Sequence, residues 1–267
     1  MLSDNITYGP VPSRRLGRSL GVNNIHAKCC SYSCLYCQVG STLGTSVKRR
    51  CFQEPILLGR AVKERLDNAR QSGEQVDYLS FVPDGEPTLD KNLGREIELL
   101  KALGVKIAVI TNASLIWDEG VRQSLAKADW VSLKVDSVKT DTWKRMNRPH
   151  KTLKLEDILE GINVFARQYK GSLNFETMLV EGVNDSMNEF EEIASFVYGA
   201  KPAKCYLGIP TRPPAEKIRP AGENALVSAF NVFACICKTA FICFTTHLWC
   251  RYNAWCREWF SYIAVCC

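Results

Sequence analysis

The sequence predicts an α/β fold built on a parallel sheet, and two observations carry that prediction. Short β-rich apolar runs alternate with helix-patterned segments between residues 19 and 209, the signature of right-handed βαβ units. Five of these runs end in polar turns bearing Gly, Pro, Asn or Asp. In a parallel sheet such carboxyl ends share one face, which is where ligands bind. About six repeats suit a partial barrel or a doubly wound sheet. The 267 residues, 46% hydrophobic and 23% charged, have ordinary globular composition.

The elements follow in order. A strand near Ser19–Ile25 precedes VDYLSFV (76–82), a buried strand, and GREIELLKAL, a helix. VKIAVIT (105–111) is a strand, EGVRQSLAKA a helix and DWVSLKV (129–135) a strand. TDTWKRM and LEDILEGINVFARQY carry helical patterns before the strand SLNFETMLV (172–180). SMNEFEEIASFVYG is a helix and AKCYLGI (203–209) the last strand. The turns after the strands are PDGEPTLD, NASL, DSVK, EGVND and PTRPPAE. No linker interrupts this series, so residues 1–232 are expected to form one domain. Residues 233–267 are an atypical Cys/Trp-rich tail with seven of the thirteen cysteines, three of the six tryptophans and only four charged residues. No period persists through it, and it is expected not to fold natively.

The net charge of +6 is uneven: residues 1–50 hold Arg14, Arg15, Arg18, Lys28, Lys48, Arg49 and Arg50 against Asp4 alone. Such a run suits phosphate, a carboxylate or nucleic acid, although a solvated face is its commoner fate. MLSDNITYGPVPSRR lacks the apolar segment of a signal peptide, and Lys238 interrupts the only long apolar run. A cytoplasmic protein without a membrane anchor is therefore expected. In a reducing compartment, clustered cysteines point to metal or redox chemistry rather than disulfides.

That cluster is CCSYSCLYC, residues 29–37. Cys30, Cys34 and Cys37 place three thiolates on one loop past the first strand, soft ligands for zinc or an iron–sulfur cluster. Structural zinc takes four protein ligands, usually from two paired knuckles. Here Cys34 and Cys37 form one knuckle, and Cys29 or Cys51 would have to complete the set. A cubane has four irons, so three cysteines leave one iron for a non-protein ligand. Spacing alone leaves the zinc loop, buried thiols and the cluster all open.

Cys30-x3-Cys34-x-Tyr36-Cys37 resembles the CxxxCxφC signature of the radical S-adenosylmethionine (SAM) enzymes. Gly85-Glu86-Pro87 is similar to that family's GGEP motif, with Asp84 in place of the first glycine. YGPVPSRRLGRSLGV, VPDGEPTL, MNRPHKTL, MLVEGVND and IPTRPPAE narrow the resemblance, over residues 8–222, to the Fe–S oxidoreductase branch related to the wyosine-base synthases that act on tRNA. The resemblance implies a partial (β/α)6 TIM-like barrel, a 4Fe-4S cluster on Cys30, Cys34 and Cys37, and SAM on the fourth iron. It further implies reductive cleavage of SAM to a 5′-deoxyadenosyl radical that abstracts hydrogen from an unidentified substrate, with a flavodoxin- or ferredoxin-type reductant as partner.

The same resemblance implies cofactor-binding positions. Tyr36 would cover the cluster, and Gly85 and Glu86 would hold the SAM amine, with a ribose hydroxyl a second target for Glu86. Val180 through Asn184 would lie against adenine and ribose, and Leu207 would flank adenine. Asn112 and Asp136 end their strands, within reach of ribose or substrate. Lys134, one pleat from Asp136, would point inward and need a partner or an anion. Arg14, Arg15, Arg18, Arg148 and Arg212 suit the SAM carboxylate, a phosphate or structural ion pairs, while His150 reads as a solvated loop residue. No catalytic residue is assigned. Wyosine synthases carry additional N-terminal cysteines and none precedes Cys29 here, so the substrate does not carry over. RNA base modification is one alternative, and a non-enzymatic, metal-stapled nucleic-acid-binding module is another.

Overall fold

A computed structural model of the chain describes residues 6–42, 44–237 and 240–242. Eight strands form one sheet in chain order: β1 (Thr7–Ser13), β2 (Gly17–Val22), β3 (Tyr78–Phe81), β4 (Lys106–Thr111), β5 (Trp130–Lys134), β6 (Ser172–Met178), β7 (Lys204–Gly208) and β8 (Ala240–Ile242). The helices are α1 (Pro55–Gln71), α2 (Leu93–Lys101), α3 (Glu119–Leu125), α4 (Thr140–Asn147), α5 (Leu155–Gln168), α6 (Met187–Gly199) and α7 (Glu223–Cys237). β1 and β2 are antiparallel, and every later pairing is parallel. A doubly wound sheet reverses its strand order at a switch point. The unbroken order here excludes that alternative and gives a singly wound partial barrel.

Each central strand has two buried faces of different character. In β5, Val131 and Leu133 pack into the main core under the helices, while Trp130 belongs to a second cluster with Leu16, Ala108 and Tyr206 inside the curl. The alternation follows from the two-residue period of a strand. Four strand spacings separate β2 from β6, roughly 19 Å if the sheet were flat. Yet Arg15, in the turn before β2, forms an ion pair with Glu176 on β6. Only a strongly curled sheet brings those two side chains together.

Two features depart from the sequence expectation. β1 carries Pro10 and Pro12, which mask a strand pattern but are tolerated at a sheet edge, where the missing N–H is not needed for a ladder. The expected domain boundary after residue 232 falls inside α7. Leu226, Ala229, Phe233 and Cys237 form a buried stripe at helical spacing, and β8 adds to β7. The rest of the Cys/Trp-rich tail, residues 243–267, lies outside the described residues. Among the described residues no helix is long and apolar enough to cross a membrane.

α2 buries Glu96 completely, and neither carboxylate oxygen has a hydrogen-bond partner among the described residues. Burial, then the neighbouring Asp90 carboxylate, pushes its carboxyl up to about 9. The unfolded chain ionises this group near 4.5, so between those values the folded state holds the extra proton. Stability from this group is therefore full below about pH 4.5 and falls as pH rises toward 9. Glu96→Gln is expected to flatten the pH dependence of urea unfolding between pH 5 and 8 by about 1 kcal/mol per pH unit. An unchanged slope would show that Glu96 does not titrate in this way.

Candidate functional site

The loop that leaves β2 carries the three cysteines, and two distant segments clamp it. From the DGEP turn, Glu86 N–H donates to the Cys29 carbonyl (2.9 Å), and the Asp84 carbonyl accepts from Lys28 N–H (2.6 Å). From the segment after α4, the Asn147 carbonyl accepts from Ser33 N–H (3.0 Å), and His150 N–H donates to the Ser31 carbonyl (2.9 Å). The two motifs thus hold the cysteine loop from either side. The contact with the DGEP turn leaves no room for a side chain at Gly85: a Cβ would lie 2.2 Å from the Cys29 carbonyl oxygen and 2.8 Å from Ile25. Gly85→Ala is expected to displace the loop and lower cluster loading at least about tenfold, measured as iron per chain after anaerobic reconstitution. Full loading would mean the turn can yield.

The sulfurs sit among N–H donors. Asn112 Nδ2 donates to Cys30 Sγ (3.4 Å), Asn147 Nδ2 to Cys34 Sγ (3.4 Å) and Tyr32 N–H to Cys30 Sγ (3.5 Å). Burial, reinforced by Cys34 and Glu86, pushes the Cys30 thiol far up, and burial lifts Cys34 to about 11 against the Asn147 hydrogen bond. Such thiols become thiolates when a metal replaces the proton. Among the described residues no three His, Cys, Asp or Glu side chains are arranged to hold a single metal ion. A cubane spreads its cysteine ligands over separate irons, and three soft sulfurs on one loop with N–H donors beside them fit that group. Cys29 accepts instead from the exposed Arg50 (3.6 Å), and Cys51 is exposed.

The strand-end residues organise this loop. Glu86 is buried, and its carboxylate accepts from Thr88 N–H (3.0 Å), Thr88 Oγ1 (2.5 Å), Thr111 Oγ1 (2.6 Å) and Asn112 N–H (2.8 Å). It faces inward and fixes Asn112, rather than offering a free carboxylate to the SAM amine. Asp136, also buried, accepts from Tyr36 OH, from Asn147 Nδ2 (2.8 Å) and from Met178 N–H (2.8 Å), which joins β5, β6, α4 and the cysteine loop. Burial and the Asp136 carboxylate keep the Tyr36 phenol protonated.

The three positions expected near adenine and ribose are held by the fold itself. Asn184 is fully buried; its amide donates to the Asp136 and Met178 carbonyls (both 2.8 Å) and accepts from Val180 N–H (2.9 Å). It shapes the turn after β6. Val180 is fully buried and held through its backbone, with a bridge to Pro220. The Leu207 side chain packs in the main core beneath the helices, so Tyr206 and Gly208, one residue to either side, are the positions on the concave face.

Inside the curl, Lys134 and Arg15 converge on Glu176. Lys134 Nζ lies 3.7 Å from Glu176 and 4.8 Å from the centre of the Tyr36 ring, and the Arg15 guanidinium lies 5.9 Å from the centre of the Tyr206 ring. Burial disfavours charge on Glu176, but Arg15 and Lys134 outweigh it and hold the carboxyl at about 2. Burial also works against Lys134, yet Glu176 and then Asp136 keep it a firm cation. The inward direction of Lys134 was legible in sequence; Glu176 was missed, although its alternation with Phe175 marks it as an inward position. Asn147 was missed as well, though it lies inside MNRPHKTL. The remaining polar candidates are engaged elsewhere or exposed: Arg18 pairs with Glu74 (2.8 Å), Arg148 with Glu216 (2.6 Å), Arg212 with Gln38 (3.1 Å) and His150 with Thr152 (2.8 Å), and Arg14 is exposed.

Comparison with known proteins gives the family and the fold. The family model of the radical SAM superfamily matches residues 24–197. A UPF0026 protein of Methanocaldococcus jannaschii is 47% identical over 229 residues, 85% of this chain and 71% of its own. Among solved structures, TYW1 with a lysine–pyruvate adduct bound matches 81% of this chain and 73% of its own, with a TM-score of 0.62 at 16% identity. SuiB of Streptococcus suis bound to S-adenosylmethionine matches 85% of this chain and 48% of its own, with a TM-score of 0.60 at 14% identity. At such identities the two structures establish the shared fold.

Proposed function

Because this chain belongs to the radical SAM superfamily, whose enzymes use a 4Fe-4S cluster and SAM, we propose that Cys30, Cys34 and Cys37 ligate three irons and leave the fourth for SAM. The bound cluster would supply the electron that cleaves SAM to methionine and a 5′-deoxyadenosyl radical, which takes hydrogen from the substrate. The observation that carries this reading is the convergence of three soft sulfurs with Asn112 and Asn147 as donors, on the side where Lys134 meets Glu176. Those two amides favour the more negative, reduced state of the cluster. Tyr36, fixed by Asp136 and Asn147, screens the loop, and the curled sheet shelters reactive species from water. Lys134 offers a fixed positive charge to a carboxylate. Arg15, Glu176 and Lys134 together suit a substrate small enough to enter the curl and bearing charged groups of its own.

A second reading, RNA base modification, draws on the exposed cations Lys28, Lys48 and Arg50 around the cysteine loop. Anaerobically reconstituted protein tests the first reading against the non-enzymatic module. Equal amounts of methionine and 5′-deoxyadenosine under dithionite are expected. Zinc occupancy with no SAM cleavage would leave a metal-stapled binding module instead.

A further inference from the structure

The cysteine loop has an inner side, where Tyr36 meets Asp136 and Lys134, and an outer side that the chemistry above does not use. Three cations stand on the outer side. Lys28, Lys48 and Arg50 are all exposed, and among the described residues none of the three forms an ion pair. Other exposed cations, among them Arg60, Lys91, Arg95 and Lys106, also form no ion pair among the described residues; what distinguishes these three is their place beside the cysteine loop. Between Asp4 and Glu54 the sequence contains no acidic residue at all. The stretch of sequence that holds the cluster cysteines is thus basic, with the exposed Asp84 and Glu54 at its borders.

The backbone fixes these charges close to the sulfurs. Ser46 N–H donates to the Cys30 carbonyl (3.0 Å), Arg50 N–H to the Leu89 carbonyl (3.0 Å), and Lys91 N–H to the Arg50 carbonyl (2.9 Å). The Arg50 guanidinium lies over the Phe52 ring at 4.5 Å and reaches Cys29 Sγ at 3.6 Å, and the Phe52 ring meets His26 edge-on at 5.7 Å. The chain then enters α1 with two exposed apolar side chains, Ile56 at 47% and Leu57 at 54%. Cations beside aromatic and aliphatic side chains are the composition of a transient protein-docking patch.

We infer that Lys28, Lys48, Arg50 and Phe52 form the docking surface for an acidic one-electron carrier protein, which delivers its electron through the Cys29–Cys30 edge of the loop. This rests on the cluster assignment proposed above. The step is an outer-sphere transfer: the carrier loses one electron, the cluster gains it, and no bond is made or broken. Charge complementarity specifies an acidic partner and would speed its encounter. The patch is short and adjoins apolar groups beside the cysteine loop, whereas RNA binding draws its affinity from cations spread along a phosphate backbone.

The test uses cluster-loaded protein and an acidic flavodoxin. Lys28→Glu with Lys48→Glu reverses two exposed charges; Arg50→Gln is the companion variant. Binding of oxidised flavodoxin followed by calorimetry is expected to weaken at least about tenfold, and its dependence on salt to flatten. Stopped-flow reduction of the cluster by flavodoxin hydroquinone should slow by a similar factor. Iron content and dithionite-driven SAM cleavage should match the unsubstituted protein. Unchanged flavodoxin binding and reduction in both variants would overturn the inference. So would unchanged flavodoxin binding alongside lost affinity for a single-stranded RNA oligonucleotide, which would assign the patch to nucleic acid. Failure of the cluster reading is separately visible, because the unsubstituted protein would then show no dithionite-driven cleavage.

Discussion

Serine at Cys30, Cys34 or Cys37 is expected to reduce reductive SAM cleavage by more than about 100-fold and to prevent loading of an intact cluster. Each of the three supplies one iron's protein ligand in the proposed site, and a hydroxyl is a harder, poorer partner for iron–sulfur chemistry than a thiolate. Cys29→Ser should keep near-normal iron content and cleavage, since the Cys29 sulfur faces Arg50 at the surface. Iron analysis and 5′-deoxyadenosine quantification on the four variants check this. Equal losses in all four would mean that Cys29 is a ligand and that the assignment of three is wrong.

Asn147→Leu is expected to have the next largest effect. This one amide lies within hydrogen-bond distance of Cys34 Sγ (3.4 Å), Tyr36 OH (3.2 Å) and Asp136 Oδ2 (2.8 Å). Leucine has similar bulk and no donor. It leaves the buried Asp136 carboxylate one partner short and removes an N–H···S bond that favours the reduced cluster. The cluster potential should become more negative, and dithionite-driven cleavage should fall by about 10- to 100-fold. Asn112→Leu should shift the potential in the same direction with a smaller loss, since the backbone N–H of residue 112 still bonds Glu86. A redox titration followed by EPR separates this from a structural defect: an unchanged potential in Asn147→Leu would show that the amide serves only folding.

Much of this architecture was legible in the residues. Short, nearly continuous apolar runs and the polar strand-end turns placed the six parallel strands β2 to β7 within a few residues, because burial on both faces leaves a strong apolar signal. β1 was invisible because its prolines carry no strand signal, and an edge strand needs none. Which side of a strand faces the chamber was harder to read. Leu207 and Tyr206 are neighbours in sequence, yet one packs under the helices and the other inside the curl; a shift of one residue exchanges the faces. Glu86 and Asn184 were recognised as special, but their partners are backbone and hydroxyl groups up to 48 residues away in sequence. No local pattern records such partners. α7 crossed the apparent boundary because its apolar stripe is made partly of Ala and Cys, which carry a weak hydrophobic signature in a cysteine-rich segment.

The central claim is that three cysteines hold a cluster whose remaining iron is open to SAM. EPR of the reduced, anaerobically reconstituted protein, recorded before and after SAM is added, tests it most directly. A signal of one 4Fe-4S cluster, with about four irons per chain, that changes on SAM addition and is absent in Cys34→Ser is the predicted result. A cluster signal indifferent to SAM, or a single bound metal ion in place of the cluster, would contradict it.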